Sequence, residues 1–421
     1  MKKFLALMLA LVMVLGLVAC GEKAPAADEG TEAAGRVYWL NFKPESDEAL
    51  QKIAGLYTEK TGVPVKVVTA ASGTYNDTLT SEMDKDEAPT MFVVGNTAAV
   101  NTWGEFCYDL TGTDVFNELN TDAYILKDAE GKVCSIGYCY ECYGIMVNKA
   151  LLAEAGYAVE DITARKDELG FSAFTAADMD DSSSWRFTGH VANLEYYWES
   201  VDAPEAWTSV PAELTGAYMD NYRNLMDLMF ANGTVARTDL ATGGHDATAE
   251  FKAGKAVFHP QGNWEWSSLS EVFTAEDLAM IPYYSGVEGE ENVGLNCGTE
   301  NYWAVNAMAS EDDIKATLDF MYWLVTDAEA SALAVETFGV MPYTKAVASA
   351  NPFLAMANEL AGAGKANMWW ATNYQPDVDN YRAALVSALN EYNADPTDAK
   401  WEAVETAFVA GWATCYANVN G

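Results

Sequence analysis

Past residue 35 the hydrophobic pattern alternates between short β-branched or aromatic runs and longer stretches of helical period. Arg36–Leu40 (RVYWL) has the composition of a buried strand. Pro44-Glu45-Ser46-Asp47 opens a helix in which Ala49/Leu50, Ile53/Ala54 and Leu56/Tyr57 recur at helical spacing, and Gly62 ends it. Val63–Val68 predicts a second strand, Tyr75–Met83 a second helix and Thr90–Val94 a third strand. This β-α-β-α-β order predicts a parallel sheet with helices on its faces. Ligands of such sheets sit beyond the carboxyl ends of the strands. Those ends are Asn41-Phe42-Lys43, Ala71-Ser72-Gly73-Thr74 and Gly95-Asn96-Thr97, all polar, small or glycine-bearing.

Farther along, Tyr143–Val147 (YGIMV) is strand-like, and Asn148-Lys149 leads into a helix over 150–155 that Gly156 closes. Helices are expected at 217–229 and at 246–253, the latter stopped by Gly254, with a strand at Ala256–Phe258. A third block starts at Asn301–Asn306. Ser310 caps the next helix, Asp313 stands at its third position, and Ile314, Leu318, Met321 and Val325 mark its expected buried stripe. Another helix spans 328–338 and ends at Gly339. After Pro342 the pattern predicts helix to the end, with Trp401, Val404, Phe408 and Trp412 on one face. No internal repeat is present.

The first 35 residues follow different rules. Lys2 and Lys3 precede an apolar run, Phe4–Val18, too short and wrongly flanked for a spanning helix of ~20 apolar residues. It fits the apolar core of an export signal over residues 1–19. Leu17-Val18-Ala19-Cys20-Gly21 resembles a bacterial lipobox, which implies lipidation of Cys20 and anchoring to the outer face of the cytoplasmic membrane; the alternative is an ordinary cleaved signal with an incidental cysteine. The rest of 20–35 holds no bulky apolar residue and reads as a flexible tether.

About 400 residues remain, more than one core of ~100–200 residues accommodates, so two lobes are expected. The formal charge is −38, which argues against nucleic-acid partners, and no Lys/Arg cluster offers an anion pocket. Six cysteines follow Cys20, at 107, 134, 139, 142, 297 and 415, and their spacing leaves the pairing open. Cys139-Tyr-Glu-Cys142 lies in strand-like surroundings, not at the helix N-terminus that redox chemistry needs. No metal site is expected: the clustered cysteines lack a fourth ligand, and the only histidines are His190, His245 and His259.

Four stretches occur in order: Tyr143–Lys149 (YGIMVNK); Phe251–Phe258 (FKAGKAVF) with Gly262-Asn263-Trp264; Trp303–Asn306 before the capped helix; and Gly339-Val340-Met341-Pro342. With the lipobox they resemble the extracellular solute-binding proteins of ABC importers, the class that includes maltose- and multiple-sugar-binding proteins (family 1). The resemblance implies an α/β fold of two lobes, each a mostly parallel sheet flanked by helices, joined by three hinge strands around a ligand cleft. It places 36–142 with 284–344 in the first lobe and 143–283 with 345–421 in the second. It implies a monomer that captures a small solute, a mono- or oligosaccharide, by lobe closure and delivers it to ABC permease subunits. No bond is broken, so neither catalytic residues nor a cofactor are implied.

A sugar site joins an aromatic platform to acids, amides and a lysine. Trp264 stands where the resemblance implies a stacking tryptophan, and Glu141 where it implies a carboxylate at the cleft. Asn41 and Lys43 follow the first strand and Asn96 the third. Trp198, Trp303, Trp369 and Trp370 complete the ligand-binding set, although most of 13 tryptophans and 22 tyrosines must be core. Gly95-Asn96 lacks the acidic and basic pair of the maltose-binding pattern, which argues against maltose itself. A polyamine, a peptide or a metal ion on the same fold, a glycosidase using two carboxylates, and a structural lipoprotein are the competing readings.

Overall fold

The computed structural model describes residues 35–71, 74–156, 172–179 and 183–420, all within one unit that begins at Ala34. The export signal, Cys20, the tether up to residue 34, and Ser72 and Gly73 lie outside the described residues. In chain order the strands are β1 (Val37–Asn41), β2 (Val65–Thr69), β3 (Met91–Val93), β4 (Ile125–Lys127), β5 (Val133–Gly137), β6 (Glu141–Asn148), β7 (Ser172–Phe174), β8 (Ala256–Gly262), β9 (Leu278–Ile281), β10 (Val293–Gly298), β11 (Tyr302–Val305) and β12 (Ala366–Trp369). One sheet has the order β2-β1-β3-β11-β5-β4; the other runs β12-β10-β6-β8-β7, with β9 also on β6.

β1 pairs in parallel with β2 and β3, as the alternating pattern requires. The sheets as wholes are mixed. β11 runs antiparallel to β3 and β5, and β6 runs antiparallel to β8, β9 and β10. These two strands enter their sheets from the other half of the molecule, so the right-handed crossover of a βαβ unit does not set their direction. Val293–Gly298 belongs with the second sheet, so the passage back to the first falls between β10 and β11 and not at residue 284.

Each sheet has its own core. In the first, Trp39 meets Trp303 edge-on at 5.8 Å, and Tyr138 stacks on Trp303 at 4.8 Å. In the second, Tyr196, Phe408, Trp412 and Tyr381 pack together. The helix Glu311–Thr326 starts where Ser310 accepts the Asp313 amide at 3.1 Å, but its buried face is Ala316, Thr317, Phe320, Met321, Leu324 and Val325. Ile314 and Leu318 lie at the edge of that face, half-buried, because Phe320 occupies its centre against Tyr57. The tail is not all helix: β12 joins β10 between the helices Pro352–Gly362 and Val378–Ala394. Trp401, Val404, Phe408 and Trp412 are buried together.

Three segments carry the chain between the sheets: 138–140, 299–301 and the stretch after Gly339. They hydrogen-bond to one another. The Tyr138 amide donates to the Asn301 carbonyl at 2.8 Å, and the Tyr140 amide to the Val340 carbonyl at 2.7 Å. Gly339 has φ +97°, and a Cβ there would come within 2.6 Å of the Asn263 side chain, so a glycine is required on both counts.

Candidate functional site: the crossing between the two sheets

β1 ends in a turn built by Asn41. Its side chain donates to the Lys43 carbonyl at 2.8 Å and accepts the Lys43 amide at 3.2 Å, a local clamp typical of Asn in turns. The clamp directs the Lys43 side chain away from its own sheet and onto the first residue of β6. There the Lys43 ammonium pairs with one carboxylate oxygen of Glu141. The other oxygen accepts Asn301 Nδ2 at 2.5 Å, and Glu45 lies 3.6 Å from the Lys43 ammonium. Lys43 and Glu141 are 6% and 2% exposed, so the pair is shielded from water and only its partners offset the cost of burying the charges. Burial alone would lower the Lys43 pKa, but the Glu141 and Glu45 carboxylates hold it well above the ordinary lysine value. Burial pushes the Glu141 carboxyl up, and Lys43 opposes this.

An aromatic group from the second half faces this network. Trp264 follows β8, with its ring centre 5.7 Å from the Lys43 ammonium. It lies over Gly262, where a Cβ would meet the ring at 2.1 Å. Its carrier turn is fixed by Asn263, which accepts the Cys142 amide at 2.7 Å and gives its carbonyl to Asn351 at 2.8 Å. His190 stacks face to face on Tyr143, with ring centres 3.7 Å apart, and lies 5.5 Å from Trp264. Trp185 and Trp370 flank His190 at 4.7 and 6.4 Å. Burial, reinforced by Arg186 and Arg382, lowers the His190 pKa well below its ordinary value, so the imidazole is neutral. Glu265 receives Gln261 Nε2 at 3.0 Å, and burial raises its carboxyl pKa.

Of the residues singled out in the sequence, Lys43, Glu141, Trp264 and Trp370 converge here, with Asn41 as the anchor of the turn. Asn96 caps the helix Thr97–Trp103 by accepting the Ala99 amide at 2.7 Å, in a loop whose Gly95 abuts the Glu300 backbone. Trp303 is fully buried in the first core and Trp198 is packed in the second, against Tyr197 and Tyr218; neither touches the cluster. Trp369 turns toward Trp207 and Tyr374 instead. Asn301, Tyr143, Trp185 and His190 were not singled out. Tyr143 and Asn301 open stretches that were, but Trp185 and His190 lie at a π-helical turn, Arg186–Val191, that the apolar period does not reveal. The six described cysteines are buried thiols.

Network and platform together set charged and amide hydrogen-bonding groups beside an aromatic face. Solved structures share the fold at low identity. The binding protein RafE of Streptococcus pneumoniae, complexed with raffinose, matches with a TM-score of 0.62 at 15% identity, over 89% of this chain and 98% of its own. A family 1 extracellular solute-binding protein from Bifidobacterium longum subsp. infantis matches at 0.59 and 18%, over 90% and 100% of the two chains. The maltose/maltodextrin-binding domain MalE of Bdellovibrio bacteriovorus, bound to maltotriose, matches at 0.61 and 16%, over 90% and 98%. No curated protein matches by sequence. The family model described as bacterial extracellular solute-binding protein matches residues 52–362, most of the chain, and the protein belongs to that family.

Proposed function

We propose that the protein is the receptor of an ABC importer and captures a carbohydrate between two lobes. The observation that carries this reading is the meeting of Lys43, Glu141 and Asn301 with the Trp264 platform at the crossing. A carboxylate, an ammonium and an amide supply directional partners for hydroxyls, and an indole face suits the apolar side of a sugar ring. The sugars carried by RafE and MalE support the same ligand class.

The first lobe follows the first sheet, 36–140 with 299–344, and the second follows the second sheet, 141–298 with 345–421. A ligand shifts the pair toward closure by as much as it prefers the closed form. The ligand-binding residues are Lys43, Glu141, Trp264 and Trp370, with Asn41 and Asn96 shaping the loops. The protein acts as a monomer, breaks no bond, is exported by residues 1–19, and is held at the outer face of the membrane through lipid on Cys20.

Thermal melting of residues 21–421 against sugars, polyamines and amino acids tests this. A native-state binder at a hundredfold excess over its Kd adds ~2.7 kcal/mol. A midpoint shift with one sugar class that Trp264→Ala abolishes is the expected result. A shift with polyamines alone would transfer the site to a cation held by Glu45, Glu265 and the aromatic rings.

A further inference from the structure

β6 and β10 place Cys142 directly opposite Cys297. In an antiparallel pair, opposed residues either exchange two backbone hydrogen bonds or none, and the second kind brings the side chains closer. The Cys142 amide donates to Asn263 Oδ1 at 2.7 Å, on the side of β6 away from β10. A strand residue's N–H and C=O point to the same side, so Cys142 makes no ladder bond to Cys297. This is therefore the close pair, with Cα atoms ~4.5 Å apart. Bridged cysteines have Cα separations of ~4.4–6.8 Å, so the backbone need not move to join them. Both side chains lie in one small apolar cluster with Leu295, Phe353 and Leu354, on the same face of the sheet.

The geometry points to a cross-strand disulfide between Cys142 and Cys297 that closes while the exported chain folds. Each thiol gives up its hydrogen, an S–S bond forms, and the electron pair passes to a small-molecule or protein disulfide, whose own S–S bond breaks to two thiols. The folded thiols are buried, so exchange precedes final packing. The bond would sit one residue from Glu141 and four from Asn301. It would fix the register of the strands that present both groups of the candidate site. The loop it closes is long, the case in which a crosslink restricts the unfolded chain most.

The test uses full-length protein isolated after export, and the same protein refolded in mixed oxidised and reduced glutathione. Both samples are denatured without reductant, alkylated and digested. The expected result is a peptide pair joined through Cys142 and Cys297, lost on reduction. The oxidised protein should also melt at a higher temperature than the reduced one, and Cys142→Ala/Cys297→Ala should show no such difference. Complete alkylation of both cysteines in both samples, or a bond from either to another cysteine, overturns the proposal and leaves a pair of core thiols. None of these readouts involves ligand, so the result is independent of the carbohydrate reading.

Discussion

Among the described residues, two buried clusters of acids and aromatics differ in how far the chain travels to build them. At the crossing, Glu141 meets Lys43 and Asn301, which are 98 and 160 residues away in sequence. In the second core, Glu195 and Glu199 on the helix Ala192–Asp202 bond to the next turn. Glu195 accepts the Tyr218 amide at 2.9 Å, and Glu199 accepts the amides of Thr215 and Gly216 at 2.9 and 2.6 Å. Trp198, on the same helix, lies beside Tyr218, with ring centres 6.3 Å apart. The first cluster spends its acid on a cation from the other sheet, and the second spends its acids on main-chain donors that hold a loop. Only the first joins residues of both sheets, so it is the one that a movement of the two halves would disturb and the one the proposed function makes the ligand sensor.

The largest expected effects come from removing a member of each cluster. Glu141→Ala leaves the Lys43 charge buried without its main partner and should cost about 3–5 kcal/mol in urea unfolding. In the double variant with Lys43→Ala the two losses should fall short of their sum, because the unpaired charge is gone. Trp198→Ala should cost a similar ~3–5 kcal/mol through cavity formation and leave any ligand-induced midpoint shift in place. Trp264→Ala, on a half-buried ring, should cost less and abolish that shift. If Trp198→Ala also abolished the shift, the distinction between sensing cluster and scaffold would fail.

A smaller effect should appear with pH. Burial raises the Glu195 carboxyl from 4.5 to about 8, reinforced by Glu199 and opposed by the Tyr218 amide. The folded state then binds a proton that the unfolded state has released, and the stability this group contributes is present below pH 4.5 and lost as pH rises toward 8. The loss should be on the order of a few kcal/mol. Glu195→Gln keeps the amide contact and cannot ionise. Urea melts across that range should give wild type a decline that the variant lacks, and parallel curves would overturn the assignment.

What was legible in the sequence divides along the same line. Local signals located the first-sheet elements: the Tyr75–Met83 helix, the Ser310 cap and the Ala328–Phe338 helix stand where period and caps put them. β12 escaped because Ala366–Trp369 is a four-residue strand with two exposed positions, paired only with β10 at the edge of the sheet. The buried stripe of Glu311–Thr326 slipped because period alone does not say which face Phe320 meets. In the site, Lys43, Glu141 and Trp264 were legible from strand ends and from the resemblance. Asn301 was not, because its role depends on a passage between the sheets, and Trp185 and His190 were not, because they lie at the π-helical turn Arg186–Val191, which the apolar period does not reveal. Trp303 and Trp198 illustrate the converse: an indole that packs in a core and one that meets the crossing, as Trp264 does, carry the same local sequence signal.

The smallest expected effect concerns Asn96, which joins the comparison from the loop beside the crossing. Its side-chain oxygen is already engaged by the Ala99 amide, so its first task is to cap the helix Thr97–Trp103. Asn96→Ala should cost ~1 kcal/mol of stability, the usual loss for an N-cap. Asn96→Ser or Asn96→Asp restores the cap and should recover that stability. The carboxylate of the aspartate also adds a charge one residue from Gly95, which abuts the Glu300 backbone. If Asn96 only caps, the serine and aspartate variants should bind ligand alike in calorimetry. If the loop also touches the solute, affinity should fall in aspartate and alanine while stability recovers in aspartate alone. That split would place the third strand's loop with the sensing cluster and enlarge the site beyond the crossing.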